Sequence, residues 1–206
     1  MLKIWGRLSS INVRKVVLAA RWMGLEFDRV DAGREYGIVR TPEYLGRNPN
    51  GLVPLMEDDD FQLWESNVIV RYLCAKHSPD ALYPQDLRAR FDAERWMDWQ
   101  QTTLNPAGRE AFVQLIRTPA DRRNADAVAQ SVEATEPLLD VLDRHLAQRP
   151  FMAGAAFTMA DIPIACEMHR WLGLPIAHPP RPHLDRWYRN ILGQAASRGV
   201  LDLPLS

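Results

Sequence analysis

The sequence predicts an α/β domain with the element order βαβαββα, followed by an all-helical domain. In the first part of the chain, short apolar runs alternate with segments whose apolar residues recur at helical spacing. In the second part the strand signals disappear and only the helical periodicity remains. With 206 residues, 47% of them apolar, the chain is long enough for two small domains with buried cores. We therefore expect domains at residues 1–78 and 87–206, joined by a linker at residues 79–86.

The first domain is predicted to begin with a strand, a helix and a second strand. The apolar run from Leu2 to Trp5 predicts the first strand. Valines and alanines at helical spacing follow from Asn12, and Gly24 ends that pattern, which predicts the first helix. The apolar positions within residues 27–30 predict a second strand.

A short helix, a hairpin and a third helix complete this domain. Thr41 and Pro42 are residue types that open helices, so a short second helix is expected to start there. Strand-like runs at residues 51–56 and 61–64, separated by acidic residues, predict a β-hairpin. A helical face that begins at Ser66 predicts the third helix.

The second domain is predicted to consist of long helices. One begins at about Leu87 and includes Leu104, and the Thr-Pro pair at residues 118–119 predicts the start of another. Over residues 128–146 the apolar and small positions keep one register across Pro137. We therefore expect one helix with a kink at the proline rather than two helices.

One acidic residue of the second domain is predicted to be structural. Thr158 and Asp161 have the spacing of a capping box ahead of an apolar helical run. Asp161 is therefore expected to stabilise the start of a helix and to lie outside the active site. A later helix is expected at residues 184–191.

The composition argues against several classes of function. The formal net charge is -1 and no basic patch is visible, so nucleic acid and membrane partners are not expected. The only two cysteines, Cys74 and Cys166, lack the spacing of a zinc site or a dithiol redox centre. No metal site is expected, and the chain is predicted to be cytoplasmic.

Three segments resemble the motifs of the glutathione transferase superfamily. Residues 48–54 read Asn-Pro-x-Gly-x-Val-Pro, and residues 64–67 match the second motif, with an acidic residue and a serine at the start of the third helix. Residues 151–162 resemble the third motif, in the helical domain. The three motifs stand in the right order and cover essentially the whole chain. Within the superfamily, the chain resembles a bacterial group of these enzymes.

The resemblance implies a thioredoxin-like fold for the first domain and a homodimer in solution. It also implies a glutathione transferase that uses glutathione as co-substrate, without a cofactor, and joins its thiolate to small hydrophobic electrophiles by halide displacement or conjugate addition. Two alternatives remain open: glutathione-dependent reduction of peroxides or disulfides, and non-catalytic glutathione binding.

Activation of the glutathione thiol requires a hydrogen-bond donor near the start of the first helix. A free thiol has a pKa of about 8.5, and one hydrogen bond to a charged sulfur contributes about 1.5–3 kcal/mol, enough to make thiolate dominant. The resemblance to serine-type classes implies Ser10 as the donor and Asn12 as a second contact. Ser9 is the main competitor, and Ser10 could instead be only an N-cap. Arg7 is expected to be a solvated residue at the strand end.

The resemblance also assigns residues that bind the rest of glutathione. Val53 offers its backbone to the cysteinyl part, next to a cis Pro54. Glu65 takes the γ-glutamyl ammonium, while the Ser66 hydroxyl and its helix N-terminus take the γ-glutamyl carboxylate.

The glycyl carboxylate and the electrophile are less well defined by the sequence. Arg34, Arg40 and Arg47 lie in a loop and are candidates for the glycyl end, and we prefer Arg34. Arg109 or Arg117 is a possible polar contact in the electrophile pocket of the helical domain.

Overall fold

The computed structural model describes residues 1–206, and the element order of the first domain is the one predicted. The first domain contains β1 (Leu2–Trp5), α1 (Ile11–Trp22), β2 (Asp28–Val30), α2 (Pro42–Arg47), β3 (Leu55–Asp58), β4 (Phe61–Trp64) and α3 (Ser66–His77). The second contains α4 (Leu87–Trp99), α5 (Asn105–Phe112), α6 (Ala125–Leu146), α7 (Asp161–Leu172) and α8 (Pro182–Leu192). The fold class predicted from the sequence, α/β followed by all-α, is confirmed. None of the helices combines the length and the apolar character needed to cross a membrane.

The four strands form one mixed sheet in the order β2-β1-β3-β4. β1 is parallel to β2, while β1 with β3 and β3 with β4 form antiparallel pairs. Ile4 in the middle of β1 lies opposite Arg29 and Met56, and α1 packs against α3. The Val53–Pro54 peptide bond that leads into β3 is cis, as predicted.

The helix that begins at Leu87 extends further than the sequence predicted. Two π-helical segments, Gln100–Leu104 and Val113–Arg117, flank α5, so the backbone stays helical from α4 to Arg117. The prediction that another helix starts at residues 118–119 is wrong, because only one 3₁₀ turn, Ala120–Arg122, follows there. The Thr118 hydroxyl donates to the carbonyl of Val113 at 3.0 Å and closes the preceding segment instead of capping a new one.

α6 continues through Pro137, as its apolar register predicts. The Asn124 side chain caps its start by accepting from the Ala127 N–H at 3.0 Å. Leu139, Leu142 and Leu146 are buried on its inner face. Packing of this face therefore offsets the hydrogen bond that the proline cannot make.

Asp161 does more than the capping role predicted for it. It is the first residue of α7, and its carboxylate accepts from the Thr158 N–H at 2.9 Å. The same carboxylate accepts from the Met152 N–H at 2.9 Å and from Trp187 Nε1 at 2.8 Å. Asp161 thus joins α7 to the loop before it and to α8.

The two domains share a continuous core. One apolar cluster of 40 buried residues extends from β1 and α1 to α7 and α8. α1 packs directly against α7 and carries two buried cations, Arg14 and Lys15. The Lys15 ammonium donates to Gln101 at 2.9 Å, and Arg14 Nε donates to the Leu8 carbonyl at 2.7 Å. Arg14 Nη1 also contacts His169 Nε2 at 2.5 Å, so Arg14 and Lys15 both join the start of α1 to the helical domain.

Candidate active site

A cleft of about 820 Å³ lies between the two domains. One wall comes from the first domain: the start of α1, the loop around residues 33–41 and the segment Gly51–Val53. The opposite wall comes from α5, the π-helical segment after it and α7, with the last two residues at its edge. A ligand bound here would contact both domains at once.

Ser10 presents a free hydroxyl to this cleft. It is the N-cap residue of α1, with extended backbone angles (φ -88°, ψ 122°), but its side chain makes no capping hydrogen bond. The Ser10 side chain therefore does not cap α1 in the structure. Its competitor Ser9 also lines the cleft, and the Ser9 carbonyl accepts from Arg117 Nη2 at 3.3 Å.

Asn12 carries a buried polar atom that has no partner. Its Oδ1 is buried and accepts no hydrogen bond. Such an atom costs about 1–3 kcal/mol unless a ligand or water supplies a donor. Asn12 lines both the large cleft and a smaller recess beside it, so a ligand that extends between the two can supply that donor.

The smaller recess, of about 50 Å³, adjoins the cleft at Asn12, Leu52 and Val53. Its far end is formed by Glu65 and Ser66. Ser66 is buried in the first turn of α3, where backbone N–H groups and the helix dipole favour an anion.

Glu65 stands before that helix in an unusual backbone conformation. Its φ of 74° lies in the left-handed region, which is sparsely populated by residues other than glycine. Its side chain is exposed and makes no capping bond. The Glu65 carboxylate can therefore accept from a cation, and Ser66 beside it lies where an anion is favoured. An α-amino acid group carries one ammonium and one carboxylate, so its charges match this pair.

The cleft lining is strongly cationic. Among its 26 residues are seven arginines and no aspartate or glutamate, although acidic and basic residues nearly balance over the whole chain. The seven are Arg7, Arg14, Arg34, Arg40, Arg109, Arg117 and Arg170. Arg170 has its charge balanced by Glu167, and Arg14 is fully engaged by carbonyl groups and His169.

Two expectations about arginines are wrong. Arg47, a candidate for the glycyl carboxylate, lies outside the cleft, where it pairs with Glu43 and Glu57 and stacks on Trp5 at 4.7 Å. Arg7, expected to be solvated, lines the cleft, and its Nε is buried without a partner. Burial, and then the neighbouring Arg34, lower the pKa of Arg7.

The other nucleophile candidates in the cleft are unreactive at neutral pH. Burial raises the pKa of the Cys166 thiol to about 12, and also that of Cys74, which is not part of the cleft lining, to about 12. Burial, together with the charge of Arg14, lowers the pKa of His169 to about 4, so its imidazole is neutral. The cleft thus lacks a thiolate of its own, and a thiolate must come from a ligand.

The structure brings the predicted site residues together in the two adjoining recesses. Ser10, Asn12, Arg34 and Val53 line the cleft, while Pro54, Glu65 and Ser66 join Asn12 and Val53 around the recess. The positive charge of the cleft was not predicted, because its arginines come from separate segments that only the folded chain brings together.

Comparison with known proteins identifies the family of both domains. The family models "Glutathione S-transferase, N-terminal domain" and "Glutathione S-transferase, C-terminal domain" match residues 1–75 and 104–195. The chain is 39% identical to glutathione S-transferase GstB of Escherichia coli strain K12, over the full length of both proteins. It is 29% identical to glutathione S-transferase 4 of Zea mays, over 97% of this chain and 91% of that one.

A solved structure is similar over the same extent. The theta class glutathione S-transferase of Xanthomonas axonopodis pv. citri, determined with glutathione bound, has a TM-score of 0.96 and 38% identity, covering 100% of this chain and 99% of that one. The family models match both domains in the order found here, so the protein belongs to the glutathione S-transferase family and is a glutathione transferase.

Proposed function

We propose that this enzyme joins the thiolate of glutathione to small electrophilic compounds by halide displacement or conjugate addition. Glutathione would extend from the recess at Glu65 and Ser66, past Val53, to the start of α1. The electrophile would bind in the wider cleft against the helical domain.

The free hydroxyl of Ser10 is the observation that carries this proposal. It lines the cleft without a capping hydrogen bond, so it is available to donate to a thiolate. A hydrogen bond to a charged group contributes about 1.5–3 kcal/mol, and a nearby helix N-terminus adds roughly 0.3–1 kcal/mol. Together they are sufficient to lower a thiol pKa by about two units, which at neutral pH converts a minor thiolate fraction into the dominant form.

The remaining groups match the charges of glutathione. The unpaired Asn12 Oδ1 provides an acceptor close to Val53, in the region shared by both recesses. Glu65 suits the γ-glutamyl ammonium, and Ser66 with the N-terminus of α3 suits the γ-glutamyl carboxylate. We propose Arg34, unpaired at the cleft, for the glycyl carboxylate, with Arg40 as the alternative.

The binding half of the proposal is tested by calorimetric titration with glutathione. Replacing Ser66 by Ala removes one donor to the γ-glutamyl carboxylate, so the Kd should rise by about ten-fold or more. Replacing the half-buried Ser78 by Ala, after the end of α3 and outside both recesses, is the matched control and should leave the Kd unchanged. Equal affinity of the wild-type and Ser66→Ala proteins would remove Ser66 from the site.

A second function is favoured by the polar character of the cleft. Glutathione-dependent reduction of peroxides uses the same thiolate but suits an open and polar second site. Turnover of an organic hydroperoxide should be compared with turnover of a halogenated nitroaromatic under the same conditions. Faster peroxide reduction would make conjugation the minor activity.

A further inference from the structure

The helical-domain wall of the cleft carries positive charge that the proposed binding of glutathione leaves unpaired. Arg109 and Arg117 lie on this wall, opposite the first-domain residues proposed to hold glutathione. Neither pairs with an aspartate or a glutamate, and the one cleft residue that does is Arg170, which pairs with Glu167.

Arg117 is held close to the proposed reaction centre. Its Nη2 donates to the Ser9 carbonyl at 3.3 Å, one residue before Ser10, and to the Ser206 carbonyl oxygen at 3.2 Å. Its guanidinium stacks over the Phe112 ring at 4.4 Å, and its Nε is buried without a partner. Both hydrogen bonds use Nη2, so Nη1 donates to no protein group and Nε is left without a partner, and no aspartate or glutamate pairs with this guanidinium.

The surroundings of Arg117 make its charge costly in the absence of an anion. Burial, and then repulsion from Arg34, Arg7, Arg170 and Arg109, together lower the pKa of Arg117 to about 10. An anion bound beside Arg117 would relieve both effects, because it supplies a hydrogen-bond acceptor and a compensating charge.

We propose that the enzyme selects electrophiles that carry a carboxylate, which Arg117 binds with the help of Arg109. This replaces the expectation of a purely hydrophobic electrophile and rests on the proposed conjugation function. Arg117 contacts the residue before Ser10, whose hydroxyl is proposed to donate to the glutathione sulfur. A carboxylate bound by Arg117 would therefore lie near this sulfur, and so would the electrophilic carbon of the same small molecule. Phe112 would pack against the apolar body of the substrate.

A matched pair of aromatic chlorides tests this selection. One is a chloronitrobenzoate with its chlorine para to the carboxylate and ortho to the nitro group, and the other is the corresponding benzamide. In both, the glutathione sulfur forms a bond to the ring carbon while chloride leaves with the electron pair of the broken carbon–chlorine bond. The thiol proton goes to the buffer, and the carboxylate or amide is unchanged.

The wild-type enzyme is expected to prefer the carboxylate. After division by the uncatalysed rates, its kcat/KM for the benzoate should exceed that for the benzamide by about ten-fold or more. Added salt should reduce the benzoate rate more than the benzamide rate, since charges in an open cleft are screened.

Two arginine variants distinguish the loss of the anion site from general damage to the fold. Arg117→Gln should lower kcat/KM for the benzoate by about ten-fold or more and that for the benzamide by less than about two-fold, and Arg117→Lys should recover part of the loss. Arg109→Gln, at an exposed residue without side-chain contacts, should give a smaller loss of the same selectivity. Arg144→Gln, at an exposed position of α6 outside the cleft, is the matched control and should change neither rate.

The failure of this inference is distinguishable from failure of the proposed function. If the benzamide reacts as fast as the benzoate, or if Arg117→Gln slows both equally or raises the KM for glutathione, the carboxylate site is wrong while conjugation stands. If neither chloride yields a thioether, the conjugation function fails, and the selectivity fails with it.

Discussion

At the scale of single residues, the proposed site is distinguished by polar atoms that the fold leaves unsatisfied. The Ser10 hydroxyl makes no capping bond, and the Asn12 Oδ1 is buried without a donor. A buried atom without a partner, such as the Asn12 Oδ1, costs stability in the free protein, so its presence beside the free Ser10 hydroxyl favours a binding role over a structural one.

Replacing Asn12 by Ala provides a test of this view. Because its Oδ1 has no partner, the melting temperature should stay the same or rise slightly. The kcat/KM for conjugation should fall by about ten-fold or less, since a secondary contact to glutathione is lost. The two readouts are thermal unfolding and steady-state kinetics, and a large loss of stability would show that Asn12 is mainly structural.

Asp161 is the opposite case, a buried carboxylate with every contact satisfied by the protein. Asp161→Ala would strand the donors of Met152, Thr158 and Trp187, each at a cost of about 1–3 kcal/mol, so the free energy of unfolding should fall by about 3–5 kcal/mol. Chemical denaturation measures this change. Glutathione affinity of the folded variant should be nearly that of the wild type, and a fall in affinity without a fall in stability would place Asp161 in the site.

The pH dependence of stability gives an independent test of Asp161. Burial raises its pKa to about 6 from the ordinary 3.8, so the stability that it contributes is fully present below about pH 4 and lost as the pH rises through 6. The difference in unfolding free energy between the wild type and Asp161→Asn should therefore decrease by up to ~3 kcal/mol from pH 4 to pH 7. A constant difference would show that this carboxyl does not titrate in that range.

At the scale of elements, α6 shows how packing overrides local propensity. Pro137 is exposed in the middle of this helix, where it removes one backbone donor. Pro137→Ala restores that donor, at a cost of about 0.4–1 kcal/mol from greater freedom of the unfolded chain. We expect a net gain in unfolding free energy of about 1–2 kcal/mol, measured by urea denaturation. An unchanged or lower value would indicate that the helix depends on the proline geometry.

The elements also show what could be predicted from the sequence. Strand and helix order, the Thr41 cap and the continuity of α6 follow from local spacing, and the structure agrees with them. The two π-helical segments beside α5 and the position of Arg117 at the end of one have no local signal. The sequence motifs therefore identified the proposed glutathione residues, whereas the positions of the arginines on the opposite wall depend on how α5 packs against α6 and α7.

At the scale of the whole molecule, the most prominent surface feature is a set of exposed apolar residues on β4, α3 and α4. Phe61, Val68, Leu87 and Phe91 are exposed on β4, α3 and α4, with Leu87 and Phe91 each at 62%. α3 and α4 lie side by side, since Arg71 of α3 pairs with Glu94 and Asp98 of α4. Exposed apolar groups clustered in this way are typical of an interface between subunits.

We propose that this surface forms a two-fold homodimer. The wild-type protein should sediment as a dimer at micromolar concentration, and Leu87→Asp combined with Phe91→Asp should shift it to monomer, because charge is costly in a buried interface. Leu192→Asp, at an exposed apolar residue of α8, is the control and should remain dimeric. A monomeric wild type would show that the apolar surface has another role.

The central claim is that the Ser10 hydroxyl stabilises the glutathione thiolate, and the pKa of the bound thiol tests it most directly. Thiolate absorbance should be titrated against pH at saturating glutathione for the wild type, Ser10→Ala and the neighbouring control Ser9→Ala. The account predicts that Ser10→Ala raises this pKa by about one to two units, equivalent to about 1.4–2.7 kcal/mol, and that Ser9→Ala leaves it unchanged. An unchanged pKa in Ser10→Ala, or a rise in Ser9→Ala instead, would contradict the account.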